Sequence, residues 1–205
     1  MQKNFAQADY AATARQAAAE GAVLLRNYRH ALPLEEGCRV AVFGRNQLHY
    51  YRCGIGSGGM VNSAYVVSIL DALKADSDIV LNQAVLSAYE AWHEAHPLEG
   101  CNEWGEEPWS QAEMPLPEAL VQQAAKTSDA ALICIGRTAG EDHDSSAAPG
   151  SFLLTEEEER TIRLVCRYFP RSIVVLNTAG IIDMTWVKRC NPAAILYVWH
   201  GGQEG

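Results

Sequence analysis

The feature that most restricts this chain is a set of short strands with no polar face. Residues 39–43 (RVAVF), 130–135 (AALICI), 172–176 (SIVVL) and 193–199 (AAILYVW) are apolar almost throughout, rather than at every second position. A strand with one wet face alternates. A strand apolar on both sides must be covered on both sides, as in a parallel sheet between helices. Helical patterns separate these runs. Residues 65–74 predict an amphipathic helix, with Val66, Ile69, Leu70 and Leu73 at i, i+3, i+4 and i+7. Residues 82–96 and 117–126 predict two more. The helix over 155–168 opens with the capping box Thr155-x-x-Glu158. Residues 9–27 predict one long Ala-rich helix, capped by Asp9 and running through AVLLRN. A further short strand is expected at 78–81.

This alternation predicts an α/β fold: a mostly parallel sheet with helices on both faces, a three-layer sandwich. After the strand at 193–199 only His200 to Gly205 remain, and no covering helix follows. Residues 1–205 are therefore expected to form one incomplete domain, truncated at its C-terminal end. An uncovered last strand predicts self-association.

Charge and composition narrow the function. Lys and Arg number 16 against 25 Asp and Glu, a net charge of −9. With no basic cluster, nucleic acid and anionic membranes are poor partners. A 48% hydrophobic, 20% charged composition excludes global disorder. No apolar run approaches the roughly 18 residues that span a bilayer. The start, MQKNFAQADY, shows no secretory signal. The six cysteines lie too far apart for metal knuckles or redox pairs, so a reduced, cytoplasmic, metal-free protein is expected. Cys134 and Cys166 read as small buried hydrophobes.

In a parallel sheet the chemistry gathers beyond the carboxyl ends of the strands. The loop after residue 43 carries His49, Tyr50, Tyr51 and Arg52, then Gly54-Ile-Gly-Ser-Gly-Gly59. These glycines match GxGxxG, but they do not follow the strand directly, and no acidic residue follows the next strand as a dinucleotide site requires. A flexible turn, or bare backbone approaching a ligand, accounts for them as well. The loop at 136–150, GRTAGEDHDSSAAPG, holds Arg137, Glu141, Asp142, His143 and Asp144 after the most apolar strand. It suits either catalysis or plain solvation. A metal held by Asp142, His143 and Asp144 is disfavoured, because adjacent residues do not converge on one ion. Glu156, Glu157, Glu158 and Glu159 sit in the first turn of a capped helix, where the helix dipole is sufficient to explain them. Asp183 reads as a structural hydrogen-bonding residue. Residues 97–117 form a long Pro-, Gly- and Glu-rich loop whose Trp104 and Trp109 could stack on a sugar ring or pack beneath the loop. No GxSxG or Ser-His-Asp set is visible.

Read in order, five segments carry a resemblance: AAEGAVLLRN with LPL; VAVFGRNQLHYY with CGIGSGGMVN; GRTAGEDHD; IVVLNTAGIIDMTWV; and AILYVWHGGQEG. Together they resemble the C-terminal, α/β-sandwich domain of glycoside hydrolase family 3, the β-glucosidase family. The resemblance implies a retaining glycosidase that uses two carboxylates and no cofactor. One is the nucleophilic Asp of a companion (β/α)8 barrel, absent from this chain. The other is a general acid/base lent by this domain, which the motif match places on Glu141, with Asp142 and Asp144 as rivals. The glycine loop resembles the family loop facing the cleft, which makes Arg52, Gly56, Ser57 and Gly58 candidate substrate contacts. The implied partners are a β-linked glycoside and the barrel, and the chain alone is expected to be inactive. Two alternatives stand: a non-catalytic carbohydrate-binding or interaction module of the same fold, and an unrelated nucleotide-binding domain.

Overall fold

The computed structural model describes residues 7–56, 59, 63–100, 107–141 and 144–205. The elements run α1 (Gln7–Gly21), β1 (Val23–Asn27), β2 (Cys38–Phe43), α2 (Ile69–Ala75), β3 (Ile79–Leu81), α3 (Gln83–Ala95), α4 (Glu118–Thr127), β4 (Ala130–Arg137), α5 (Glu156–Tyr168), β5 (Ser172–Thr178), α6 (Trp186–Cys190) and β6 (Ala194–Tyr197). They build one six-stranded sheet of order β1-β6-β5-β4-β2-β3. All neighbours pair in parallel except β1, which runs antiparallel to β6.

The two-residue period of the strands sorts their side chains onto two faces. Ala41, Phe43, Ala131, Ile133, Ile135, Val174 and Leu176 pack with α3, α4, α5 and α6 residues such as Tyr89, Val121, Ile162 and Trp186. The alternate set, Val40, Val42, Ala130, Leu132, Cys134, Ile173 and Val175, meets Ala31, Leu32 and Leu34 together with Ile69 and Leu73 of α2. Every residue of β4 is buried, as its unbroken apolar run requires. Burial pushes the Cys134 thiol up to about 12, so it behaves as a packed hydrophobe. Cys166 lies at the rim of the core, partly buried, with its thiol pushed up to about 11 by the same cause.

Some local expectations fail. The helix expected over residues 9–27 ends at Gly21, and Val23–Asn27 form β1. Ala-rich propensity carries only the first part, because the AVLLRN stretch gains more by pairing with the outer edge of β6. Asp9, the expected cap, falls within the span of α1, Gln7–Gly21. That pairing covers the edge of β6: Ala194, Ile195 and Tyr197 are buried and Leu196 is partly buried, while Val23, Leu24 and Leu25 of β1 are among the exposed apolar side chains. The helix expected from residue 65 starts only at Ile69, where Ser68 and Asp71 form a reciprocal capping box. The helix α6 was not legible as a periodic pattern, being five residues long.

Beyond β2 the chain steps outward to β3, then returns on the other side of β2 to lay down β4. The loops leaving β2 and β4 therefore diverge at a topological switch point, the place where such sheets open a crevice at their carboxyl edge.

Candidate active site

The loops at this switch point are joined backbone to backbone. Ile55 and Gly140 form a parallel bridge. The Ile55 amide donates to the Ala139 carbonyl at 2.6 Å, and the Glu141 amide donates to the Ile55 carbonyl at 3.5 Å. Gly56 makes this approach possible. Its φ is +95°, and a Cβ there would lie 2.7 Å from the Cβ of Glu141. Any other residue would be strained in conformation and would collide with Glu141. The glycine-rich segment is thus a close-fitting backing for the loop that carries Glu141. Among the described residues the next α-helix after the glycines starts only at Ile69, whereas a dinucleotide fingerprint has its glycines open the helix directly after the strand.

Glu141 itself is solvent-exposed on the carboxyl edge of the sheet. Asp144 is exposed farther along the same loop, and the stretch beyond it folds on itself: Ser146 carbonyl accepts from Phe152, and Ser151 Oγ accepts from the Ser146 amide. Of the other sequence candidates, Arg52 is partly buried; its guanidinium donates to Ser63 Oγ at 2.6 Å and its carbonyl accepts from Gly202. Cys53 Sγ closes the turn on the Gly59 carbonyl. Asp142, His143, Ser57, Gly58 and Trp104 lie outside the described residues. Trp109 is partly buried and its carbonyl accepts the Thr138 amide, which ties the long loop to the end of β4. His49 meets Glu107 at 2.8 Å, which ties the long loop to the loop after β2. Among the described residues no group of three or more His, Cys, Asp or Glu side chains is placed to hold a metal ion. No helix among them is long and apolar enough to cross a membrane.

Four residues that hold this edge together do not stand out as site residues in the sequence. Asn177, fully buried at the end of β5, accepts from the amides of Tyr51 (2.8 Å) and Asn46 (3.2 Å). It donates to the carbonyls of Tyr51 (2.9 Å) and Trp199 (2.5 Å). One side chain so fixes the loops after β2 and β6. Gly136 lets them pass: a Cβ there would fall within the shell of Asn46 and of the Tyr51 ring. His200, its imidazole pKa lowered by burial, bonds the Arg137 carbonyl at 2.8 Å. Glu113 accepts from the amides of Arg45 and Met114, both at 2.8 Å. Its carboxyl is enclosed, and loss of water pushes its pKa up to about 7 against the pull of those amides. It faces a cavity of about 20 Å³, room for one water, shared with Asn46, His49, Tyr51 and Glu158.

The run Glu156 to Glu159 is not explained by the helix dipole alone. Glu158 closes the expected capping box with Thr155 but is buried and paired with Arg137, both contacts at 2.6 Å. Glu159 pairs with Arg189 on α6. Asp183 is structural, as expected: it accepts from Thr185 at 2.6 Å, and its carbonyl accepts the Trp186 indole N–H.

Residues 22–205 match the glycosyl hydrolase family 3 C-terminal domain. The chain is 46% identical over 197 residues to a beta-glucosidase of Ruminococcus albus, covering 96% of this chain and 21% of that protein. A beta-glucosidase structure from Paenibacillus barengoltzii superposes with a TM-score of 0.92 at 43% identity, over 99% of this chain and 22% of that one. Beta-glucosidase 3B of Thermotoga neapolitana, solved with alpha-D-glucose, gives 0.83 at 31% identity, over 96% and 28%. The chain thus spans about a fifth to a quarter of the length of these relatives. It belongs to the glycosyl hydrolase family 3 C-terminal domain family.

Proposed function

We propose that this domain supplies the general acid/base of a retaining β-glucosidase, through Glu141, to an active site completed by a (β/α)8 barrel. The observation that supports Glu141 over Asp144 is its seat against Gly56 at the switch point, the fixed part of its loop. The relatives named beta-glucosidases support the substrate class, a β-linked glucoside.

In this reading the Glu141 carboxylic acid donates its proton to the glycosidic oxygen as the bond to the anomeric carbon breaks. A carboxylate of the barrel, roughly 5–5.5 Å away, bonds to that carbon and forms a covalent glycosyl-enzyme. Glu141, now a carboxylate, takes a proton from the water that attacks the same carbon, and the sugar leaves with its configuration retained. The acid role requires Glu141 to carry a proton. Covering by the companion domain raises its pKa so that it can hold a proton until it is needed. In this reading the nucleophile comes from the barrel, so the domain by itself is expected not to turn over the glucoside.

The test uses the full-length enzyme that carries this domain and two substrates. An alkyl β-glucoside needs its leaving group protonated; 2,4-dinitrophenyl β-glucoside does not. Glu141→Gln is expected to lower kcat/KM for the alkyl glucoside by about 10²–10⁴-fold and to leave that for the dinitrophenyl glucoside nearly unchanged. Equal losses on both substrates would remove the acid role from Glu141. The selective loss appearing instead in Asp142→Asn or Asp144→Asn would move the role there.

A further inference from the structure

Arg137, the last residue of β4, is buried together with Glu158 of α5, their side chains 4% and 5% exposed. A guanidinium has five N–H donors in a fixed plane. Here all five are used. Nη1 and Nη2 each donate to one oxygen of Glu158 at 2.6 Å. Nη1 also donates to the Gly136 carbonyl at 2.7 Å, Nη2 to the Leu153 carbonyl at 3.2 Å, and Nε to the Ser151 carbonyl at 2.9 Å.

These acceptors share one property: they lie at the two ends of the loop that carries Glu141. Gly136 and Arg137 are where the chain leaves β4. Ser151, Leu153 and Glu158 are where it returns to α5. Capping α5 needs only Glu158 and Thr155, whose amide Glu158 accepts at 2.7 Å; it needs no arginine. Stability is a poor reason for the pair as well, because a buried ion pair often gains nothing over apolar residues of equal volume. What it fixes is the distance and angle between the two loop ends. The exit of the loop is held from outside too, by His200 on the Arg137 carbonyl and by Trp109 on the Thr138 amide.

We propose that Arg137 and Glu158 are positioning residues for the acid/base: their buried, five-donor clamp sets the root of the loop so that Glu141 reaches the glycosidic oxygen. The proposal rests on the acid/base reading above. Neither residue touches the substrate. Proton transfer demands a heavy-atom separation of about 2.6–3.2 Å, so a small shift at the loop root is felt in that step before any other.

The experiment compares Arg137→Lys and the double variant Arg137→Met/Glu158→Leu with Glu141→Gln, in the full-length enzyme. Lysine keeps the charge but not the planar fork. The double variant removes both charges together, so a folded protein is expected even if the single change fails to fold. In each folded variant kcat/KM for the alkyl glucoside should drop at least about tenfold, while the dinitrophenyl glucoside stays within about twofold of wild type. A merely structural role would lower both substrates in step with the unfolded fraction, and that result overturns the proposal. Selectivity in Glu141→Gln with none in the clamp variants overturns the proposal alone. No selectivity in Glu141→Gln overturns the acid/base reading and the proposal with it.

Discussion

The strand β4 has an arginine–carboxylate pair at each end, and the two differ in almost everything but geometry. At the N-terminal end Arg39 grips Asp129 through Nε and Nη2 at 2.9 and 2.6 Å, with side chains 54% and 42% exposed. At the C-terminal end Arg137 grips Glu158 with equal directness, but buried in the interior. Water screens the first pair and repays little for breaking it. The second was taken out of water at a large desolvation cost, and its remaining donors were all matched to main-chain carbonyls. The contrast shows which edge of the sheet is a solvated margin and which is built to hold a loop still.

Removing one partner should separate the ends most strongly. Arg137→Ala leaves Glu158 as an unpaired buried charge and is expected to cost about 3–5 kcal/mol in denaturant unfolding. Arg137→Met/Glu158→Leu should regain most of that loss. A cost below about 1 kcal/mol for Arg137→Ala would make the two pairs equivalent and erase the contrast.

The pH dependence should have opposite signs at the two ends. Glu113, beside the buried pair, has a folded pKa pushed up to about 7 from 4.5. Its contribution is full below 4.5 and is lost as pH rises through 7, by roughly 3 kcal/mol at most. Asp129 is held down to about 2 from 3.8 by its hydrogen bonds from Arg39. Its contribution is present above 3.8 and lost as pH falls towards 2. Melting temperatures of Glu113→Gln should lose the decline between pH 4.5 and 7 that the wild type shows. An unchanged slope would assign that decline to other groups. The smallest effect is expected for Asp129→Asn, a barely measurable loss at neutral pH; a loss comparable to that of Arg137→Ala would contradict the screening argument.

The same contrast explains what the sequence reveals. The apolar runs at 39–43, 130–135 and 172–176 announce a covered parallel sheet, because burial on both faces leaves a mark on each residue. The helices α3, α4 and α5 follow from period and caps, which are local. The strand β1 does not, because its pairing with β6 lies at the far end of the chain. Glu141 is visible only through its motif. Its seat against Gly56 depends on a bridge between Ile55 and Gly140 that no local pattern encodes. Glu158 looks fully explained by its helix end until Arg137, 21 residues away, is placed against it. Asn177 lies 126 residues from Tyr51. Its one local signal is a polar side chain closing an otherwise apolar strand, SIVVLN.

The most direct test of the central claim, that this domain lends its acid/base through Glu141, is chemical rescue in the full-length enzyme. In Glu141→Ala, 2,4-dinitrophenyl β-glucoside forms the glycosyl-enzyme without acid help, and its hydrolysis stalls for want of a base. Azide needs no base. It is expected to attack the anomeric carbon in place of water, restore turnover, and give β-glucosyl azide, with the wild type giving none. Turnover of Glu141→Ala that azide does not raise, with rescue found in Asp142→Ala or Asp144→Ala instead, would contradict the account.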